Sequence, residues 1–368
     1  MTATLAFPDI SGVRLSQDSA ILRDFPLAAG KRTAKYEAAF DRHTLIYDAF
    51  RLGESKIVRL LCPRLLNLRD DLRAGLGVGG KAARIRQHRR SLRYEVIDVV
   101  CPQGKALTLD MADQHFEVAV HESTSPLFLG QNVGFHMSKD TPPDWIVDWA
   151  RYHVSAHGME GYLLFDNGTT AFDMAALGAR LRDETGLKSV AIVSCPFPYG
   201  DKAGGKFVVP SKFLQVSMMQ LARWRFFARA KGVLAVDIDE MVAPVSGSNI
   251  YEAAAASRFG LAKLEGHWAY PAVAQTAQPQ AAHSRTVAGE KPCPPKWCLT
   301  RGALADRFEW SVHRPSGPLF PFAQVSGQFW HCRANTTGWK AARSAIPEAA
   351  KEDAKLVAAF QSHLKASS

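Results

Sequence analysis

The sequence predicts an α/β protein with a β-rich N-terminal domain, and three observations carry that expectation. From about Leu127 onward, apolar strand-like runs alternate with amphipathic helix-like runs, the signature of a layered α/β domain. Before that, residues 1–125 hold short β-branched and aromatic runs separated by turn residues. The chain has 368 residues, 47% of them hydrophobic and 22% charged, which is length enough for two domains and apolar surface enough for a core. A disordered chain is excluded on that composition.

In the N-terminal part, strands are expected at Thr44–Phe50, Lys56–Leu61, Tyr94–Cys101, Ala106–Leu109 and Phe116–Val120. A basic helix near Arg64–Arg73 and the glycine-rich run Gly75–Ala82 interrupt them. That run nearly spells a phosphate-binding loop. Ala82, however, stands where a Ser or Thr would hold Mg²⁺, and a charged helix pattern precedes it instead of a buried strand, so a nucleoside triphosphate site is rejected. Lys plus Arg number 45 against 35 acidic residues, a net of +10, and the excess is uneven. Arg64 to Arg93 holds nine Lys/Arg against Asp70 and Asp71. Such a stretch is either a solvated face or a contact for a phosphate-bearing partner, and with no aromatic before Tyr94 it argues poorly for base stacking. No nucleic acid partner is expected.

The second domain is read over 126–345. Strand Asn132–Met137 runs into a helix that Thr141 can cap, with Pro142 suited to its first position and Asp144 to its positive end. Trp145, Trp149 and His153 follow at spacings of four and share one face. Strand Gly161–Phe165, ending in Asp166-Asn167-Gly168, completes a βαβ unit. A helix over Ala171–Thr185, a strand over Ser189–Ser194, a helix over Ser211–Lys231 and a strand over Gly232–Val236 continue the alternation. Residues 271–292 are rich in Ala, Gln and Pro and read as a long mobile loop; 346–368 carry an amphipathic helix with Leu356, Phe360 and Leu364 in register. The six cysteines (62, 101, 195, 293, 298 and 332) are scattered in apolar surroundings, which fits buried thiols better than disulfides or zinc. No window of 18 apolar residues occurs, and Met1–Pro26 lacks a leader pattern, so a cytoplasmic location is expected.

The sharpest local feature is Gly232-Val-Leu-Ala-Val-Asp237-Ile-Asp239-Glu240, an apolar strand ending in carboxylates. Side chains two apart on an extended segment point the same way, so Asp237 and Asp239 can present oxygens to one hard divalent cation, Mn²⁺ or Mg²⁺, and through it to a diphosphate. Asp166 ends the earlier strand, at the edge where open α/β sheets bind ligands, although Asp-Asn-Gly is also a plain turn sequence. Lys296, His313, His331, Arg333 and Lys340 follow among Trp and Phe residues, each unremarkable singly.

Taken in order, Trp145, Trp149, His153 and Gly158, then Tyr162 to Asn167, then Val236 to Glu240, then Lys296, His313, His331-Cys-Arg333 and Lys340 resemble glycosyltransferases of family 92 and their family-2-like bacterial relatives. The resemblance spans roughly Asn132 to Arg343. It implies a GT-A fold, with a Rossmann-like, mostly parallel sheet and a nucleotide-sugar cleft. It further implies that Asp166 and Asn167 lie at the nucleotide, that Asp237 and Asp239 hold the metal with His313, and that Lys296, His331, Arg333 and Lys340 join Asp237 around the donor diphosphate. Met241 stands where these families commonly carry an aromatic residue. The reaction implied is transfer of a sugar from a nucleotide-sugar, UDP favoured, to a glycan or lipid-linked acceptor in surface polysaccharide synthesis. Inversion is expected, with Glu240, Glu265, His267 and Asp306 as candidate bases, and the protein is expected to rest on an anionic inner membrane through its basic stretch. Two rivals stand beside this reading. One is a haloacid-dehalogenase-like phosphotransferase, which would want a small hydroxyl or β-branched residue in place of Met241. The other is a carbohydrate- or nucleic-acid-binding protein whose carboxylates are structural.

Overall fold

The computed structural model describes residues 3–200, 212–335 and 345–364. The chain divides into two units: one formed by Met1–Phe7, Leu127–Ile192 and Arg229–Ser368, the other by Pro8–Pro126 and Val193–Ala228.

The first unit is built on the large sheet. Its strands are β1 (Thr4–Ala6), β2 (Asn132–Ser138), β3 (Gly161–Asp166), β4 (Ser189–Ser194), β5 (Gly232–Ala235), β6 (Glu240–Val242), β7 (Leu261–Pro271), β8 (His283–Thr286), β9 (Cys293–Thr300), β10 (Val325–Cys332) and β11 (Lys351–Glu352). The spatial order is β1-β4-β3-β2-β5-β9-β7-β8-β11, and β10 pairs with both β6 and β7. Parallel pairing joins β1 to β4, β3 to β2 and β2 to β5. Beyond β5 the neighbours β9, β7, β8 and β11 pair antiparallel. Counting β2 to β5 as one to four, the order is 3-2-1-4, the beginning of the 3-2-1-4-5-6 order of doubly wound sheets, with the switch point between β2 and β5.

Among the described residues, four helices flank this sheet: α1 (Pro143–His157), α2 (Met174–Glu184), α3 (Ile250–Ala256) and α4 (Ala354–His363). Helix α1 starts one residue later than its sequence suggests, with Pro142 as the flanking residue and Pro143 opening the first turn, where a missing N–H costs nothing. The side chains of Asp173, Asn249 and Asp353 accept the free amides that begin α2, α3 and α4. The core gathers Ile146, Trp149, Tyr162, Leu164, Val190, Leu234, Met241, Phe329, Leu356 and Phe360.

Three expectations change. Residues 271–292 do not form one plain mobile loop: β8 pairs with β7 and β11, and Gln280 and His283 are buried, bonded to the carbonyls of Ile238 and Pro279. The helix expected over Ser211–Lys231 is observed as Phe213–Leu221, followed by a wider π-type turn over Ala222–Phe226, within the second unit. Finally, β5 ends at Ala235, so Asp237 and Asp239 lie in a turn instead of on the strand.

The second unit is β-rich. One sheet has the order Asp48–Arg51, Ile57–Pro63, Tyr94–Val100, Ile85–Arg90, and another runs Gln114–Val118, Leu107–Met111, Leu76–Val78, Lys81–Ala82. The glycine-rich run is a tight hairpin between the last two strands, and Gly79 and Gly80 take the positive φ values (58° and 76°) its turn requires. That conformation, and not a strand-to-helix phosphate loop, is why the glycines are there. All six cysteines are buried.

Candidate functional site

Strand β5 is buried throughout and reads Gly-Val-Leu-Ala. A Cβ on Gly232 would come within 2.8 Å of the Tyr251 ring and 3.0 Å of the Asn132 side chain, so only glycine lets β5 enter the sheet at this point. After Ala235 the chain leaves the ladder and turns, with the Glu240 amide donating to the Asp237 carbonyl at 3.0 Å. It re-enters as β6, which sets Glu240 directly opposite His331 of β10. Sequence spacing alone cannot show that pairing, because the two residues stand 91 positions apart.

The turn is held from below by α1. The Trp149 indole N–H reaches the carbonyls of Asp237 and Glu240, each at 3.2 Å. The Tyr152 hydroxyl and His157 Nε2 donate to the Val242 carbonyl at 2.8 and 3.0 Å, and the Val242 amide faces His153 Nε2 at 3.4 Å. The aromatic stripe predicted for α1 therefore faces the carboxylate turn. The Gln280 amide donates to the Ile238 carbonyl at 3.0 Å and closes the turn from the other side; nothing in the sequence marks that residue.

Three carboxylates gather here around two basic groups. Lys296, almost fully buried on β9, donates to Asp237 Oδ2 at 2.6 Å and Glu240 Oε2 at 2.9 Å. Burial alone would favour the neutral amine, but the charges of Asp237 and Glu240 reverse this and raise the Lys296 pKa. Glu240 Oε2 also accepts the Asp237 amide at 2.7 Å. Burial pushes the Glu240 carboxyl upward, against the pull of Lys296. His331 Nε2 bonds Asp239 Oδ2 at 3.0 Å, while its Nδ1 stands 3.7 Å from Glu240 Oε1. Burial acts to raise Asp239, yet the His331 charge and hydrogen bond outweigh it and hold that carboxyl below the usual range. Ligand-type atoms of Asp239, Glu240 and His331 lie within 4.8 Å of one another. Two carboxylates and an imidazole suit Mn²⁺ better than Mg²⁺, which keeps to oxygen ligands.

The other expected residues fall around this turn in different ways. Asp166 ends β3, two strands from β5, where its carboxylate accepts the Thr169 amide at 3.0 Å; Asn167 donates its own amide to the Ser138 carbonyl. Arg333 lies over the rings of Trp268 and Tyr270, at 5.1 and 5.6 Å, and Trp268 packs on His331 with ring centroids 4.6 Å apart. His313 follows Ser311, whose carbonyl accepts the Trp297 indole at 2.8 Å and so ties that loop to β9 beside Lys296. Glu265 and His267 are half-buried on β7 and, by strand alternation, face away from Trp268. Lys340 lies outside the described residues. Sequence reasoning missed His136, whose buried ring packs on Trp149 and meets the Tyr162 hydroxyl at 3.0 Å; burial lowers its pKa to about 4.

No family model matches the chain, and no curated protein matches it in sequence. Two solved structures of the galactosyltransferase LgtC are similar in part: an active-site mutant, at 17% identity with a TM-score of 0.27, and a complex with donor and acceptor sugar analogues, at 18% with a TM-score of 0.26. The likeness covers 49% and 48% of this chain and 60% and 59% of theirs. This chain thus spans about three fifths of the length of those structures.

Proposed function

We propose that the protein is a metal-dependent glycosyltransferase, moving a sugar from a nucleotide-sugar, UDP favoured, to a glycan or lipid-linked acceptor in surface polysaccharide synthesis. One observation carries the reading: the 3-2-1-4 sheet order puts the turn Asp237–Glu240 just beyond the carboxyl end of β5, at the switch point where such sheets bind nucleotides. Asp166 ends a strand two positions away, roughly 10 Å by interstrand spacing, which leaves room for a nucleoside and its diphosphate between them.

In this reading Asp239, Glu240 and His331 hold Mn²⁺, with Asp237 beside them. The ion supplies charge neutralisation for the diphosphate. Lys296 fixes Asp237 and Glu240 in place and leaves the cluster with an excess of negative charge, as a divalent cation requires. Arg333, its guanidinium stacked on Trp268 and Tyr270, offers planar N–H donors to phosphate oxygens. Trp149 keeps the turn closed while the acceptor hydroxyl, giving its proton to a base, attacks the anomeric carbon and the carbon–oxygen bond to the nucleoside diphosphate breaks, with inversion expected.

The test is a thermal-shift series with UDP, GDP and CMP, each with and without Mn²⁺, on the native chain and on Asp239→Asn. A ligand at a hundred times its dissociation constant adds about 2.7 kcal/mol to stability. A shift that needs both Mn²⁺ and one nucleotide, and that vanishes in Asp239→Asn, is expected. If no nucleotide gives a Mn²⁺-dependent shift, the carboxylates are structural and the protein is a binding module.

A further inference from the structure

Thirteen residues of the β-rich unit, Lys81 to Arg93, carry six Lys/Arg and no acidic group. The fold makes this run one edge of a sheet: among the described residues, Ile85–Arg90 pairs on one side only, with Tyr94–Val100. The hairpin then turns through Ser91, Leu92 and Arg93, with the Ser91 amide donating to the Tyr94 carbonyl at 2.9 Å. Lys81, Arg84, Arg86, Arg89 and Arg90 are all exposed. Arg59 and Arg89 lie over the half-buried Trp224 ring at 4.6 and 5.8 Å, and Arg59 is itself held by Asp98 through two bonds of 2.8 Å. His88 is turned inward to Glu95 at 2.8 Å and adds nothing to the outer face.

Lysine and arginine on an edge strand discourage sheet-to-sheet association, and that alone would explain charge there. It does not explain Leu92, which projects from the hairpin tip 69% exposed between Arg90 and Arg93. In a nucleic acid an aliphatic tip finds a place only by unstacking a base step, at a cost of a few kcal/mol. A bilayer surface does: the leucine is buried below headgroup level while arginine stems lie along the interface and their guanidiniums stay at the phosphates.

We propose that the hairpin of strands Ile85–Arg90 and Tyr94–Val100 docks on an anionic phospholipid surface, with Leu92 inserted and Arg84, Arg86 and Arg90 at the headgroup phosphates. Each arginine near such a surface contributes about 1 kcal/mol, and the contribution falls off within a Debye length. The inference does not depend on the glycosyltransferase reading.

The test is sedimentation of the full chain with vesicles of mixed phosphatidylcholine and phosphatidylglycerol, against pure phosphatidylcholine, at low and high salt. Binding to the anionic vesicles alone is expected, weakened by salt. Arg84→Glu/Arg86→Glu/Arg90→Glu should bind on the order of a hundredfold more weakly. Leu92→Ser, which leaves the charge unchanged, should bind roughly tenfold more weakly. All four positions are outside the core, so an unchanged melting temperature shows that the variants fold. Equal sedimentation with neutral and anionic vesicles overturns the proposal. So does an unaltered Leu92→Ser together with tight binding of a single-stranded oligonucleotide, which would make the edge a nucleic-acid surface.

Discussion

Lys296 is where the chemistry of the carboxylate turn and the stability of the fold meet. A lysine this buried persists because Asp237 and Glu240 both accept from it, and either carboxylate left unpaired would have to protonate or draw in water. Lys296→Met should therefore destabilise the protein by about 3 kcal/mol, at the low end for a broken buried pair because Asp237 is partly exposed. Denaturant titration of the two proteins measures it. A loss under about 1 kcal/mol would mean that the carboxylates are solvated and the pairing is incidental.

Helix α1 does two jobs with one face. Its apolar rings fill the space beneath the sheet, and its indole, hydroxyl and imidazole groups add hydrogen bonds to the backbone carbonyls of Asp237, Glu240 and Val242. His153 Nε2 can take the Val242 amide only while its imidazole is neutral, and burial keeps both histidines so. Burial holds His153 well below its usual pKa and lowers His157 to about 4. Since the unfolded chain binds these protons near pH 6.5, the stability they contribute is complete above that value and is lost as pH falls toward 4. Each such group adds at most about 1.4 kcal/mol per pH unit to the slope. Urea midpoints measured between pH about 7 and 5 should fall, and His157→Gln, which keeps a donor for Val242, should fall less steeply. Parallel slopes would show that His157 stays unprotonated in the unfolded chain as well, or reaches water in the folded one.

At the scale of the molecule, the β-rich unit is discontinuous. Arg225, from the segment Val193–Ala228, pairs with buried Asp48 at 2.8 Å, and Phe213 meets Phe40 at 6.0 Å between ring centroids, so the later segment belongs to the unit's interior. A fragment covering 8–126 alone leaves Asp48 without its arginine and should not fold cooperatively. The same fragment joined by a flexible linker to 193–228 should. Circular dichroism and urea titration distinguish the two, and cooperative unfolding of the short fragment would make the second segment dispensable. Among the described residues no helix is long and apolar enough to cross a membrane.

What the sequence determined by itself was local and periodic: the β2-α1-β3 unit, the capped helices, the aromatic face of α1 and the carboxylates that follow β5. These follow from side-chain spacing within one element, which a linear reading preserves. The tertiary structure decided how the charges are shared. The turn after β5 separates Asp237, held by Lys296, from Asp239, held by His331, and no spacing rule pairs residues 59 and 92 positions apart. It likewise brought Trp224 beneath Arg59 and Arg89, giving the basic stretch an aromatic partner that its own sequence lacks. It also buried Gln280 within residues 271–292, where its amide bonds the Ile238 carbonyl of the turn and the Trp145 carbonyl of α1. Long-range hydrogen-bond and charge satisfaction depends on which strands become neighbours, and that is settled only when the sheet closes its order.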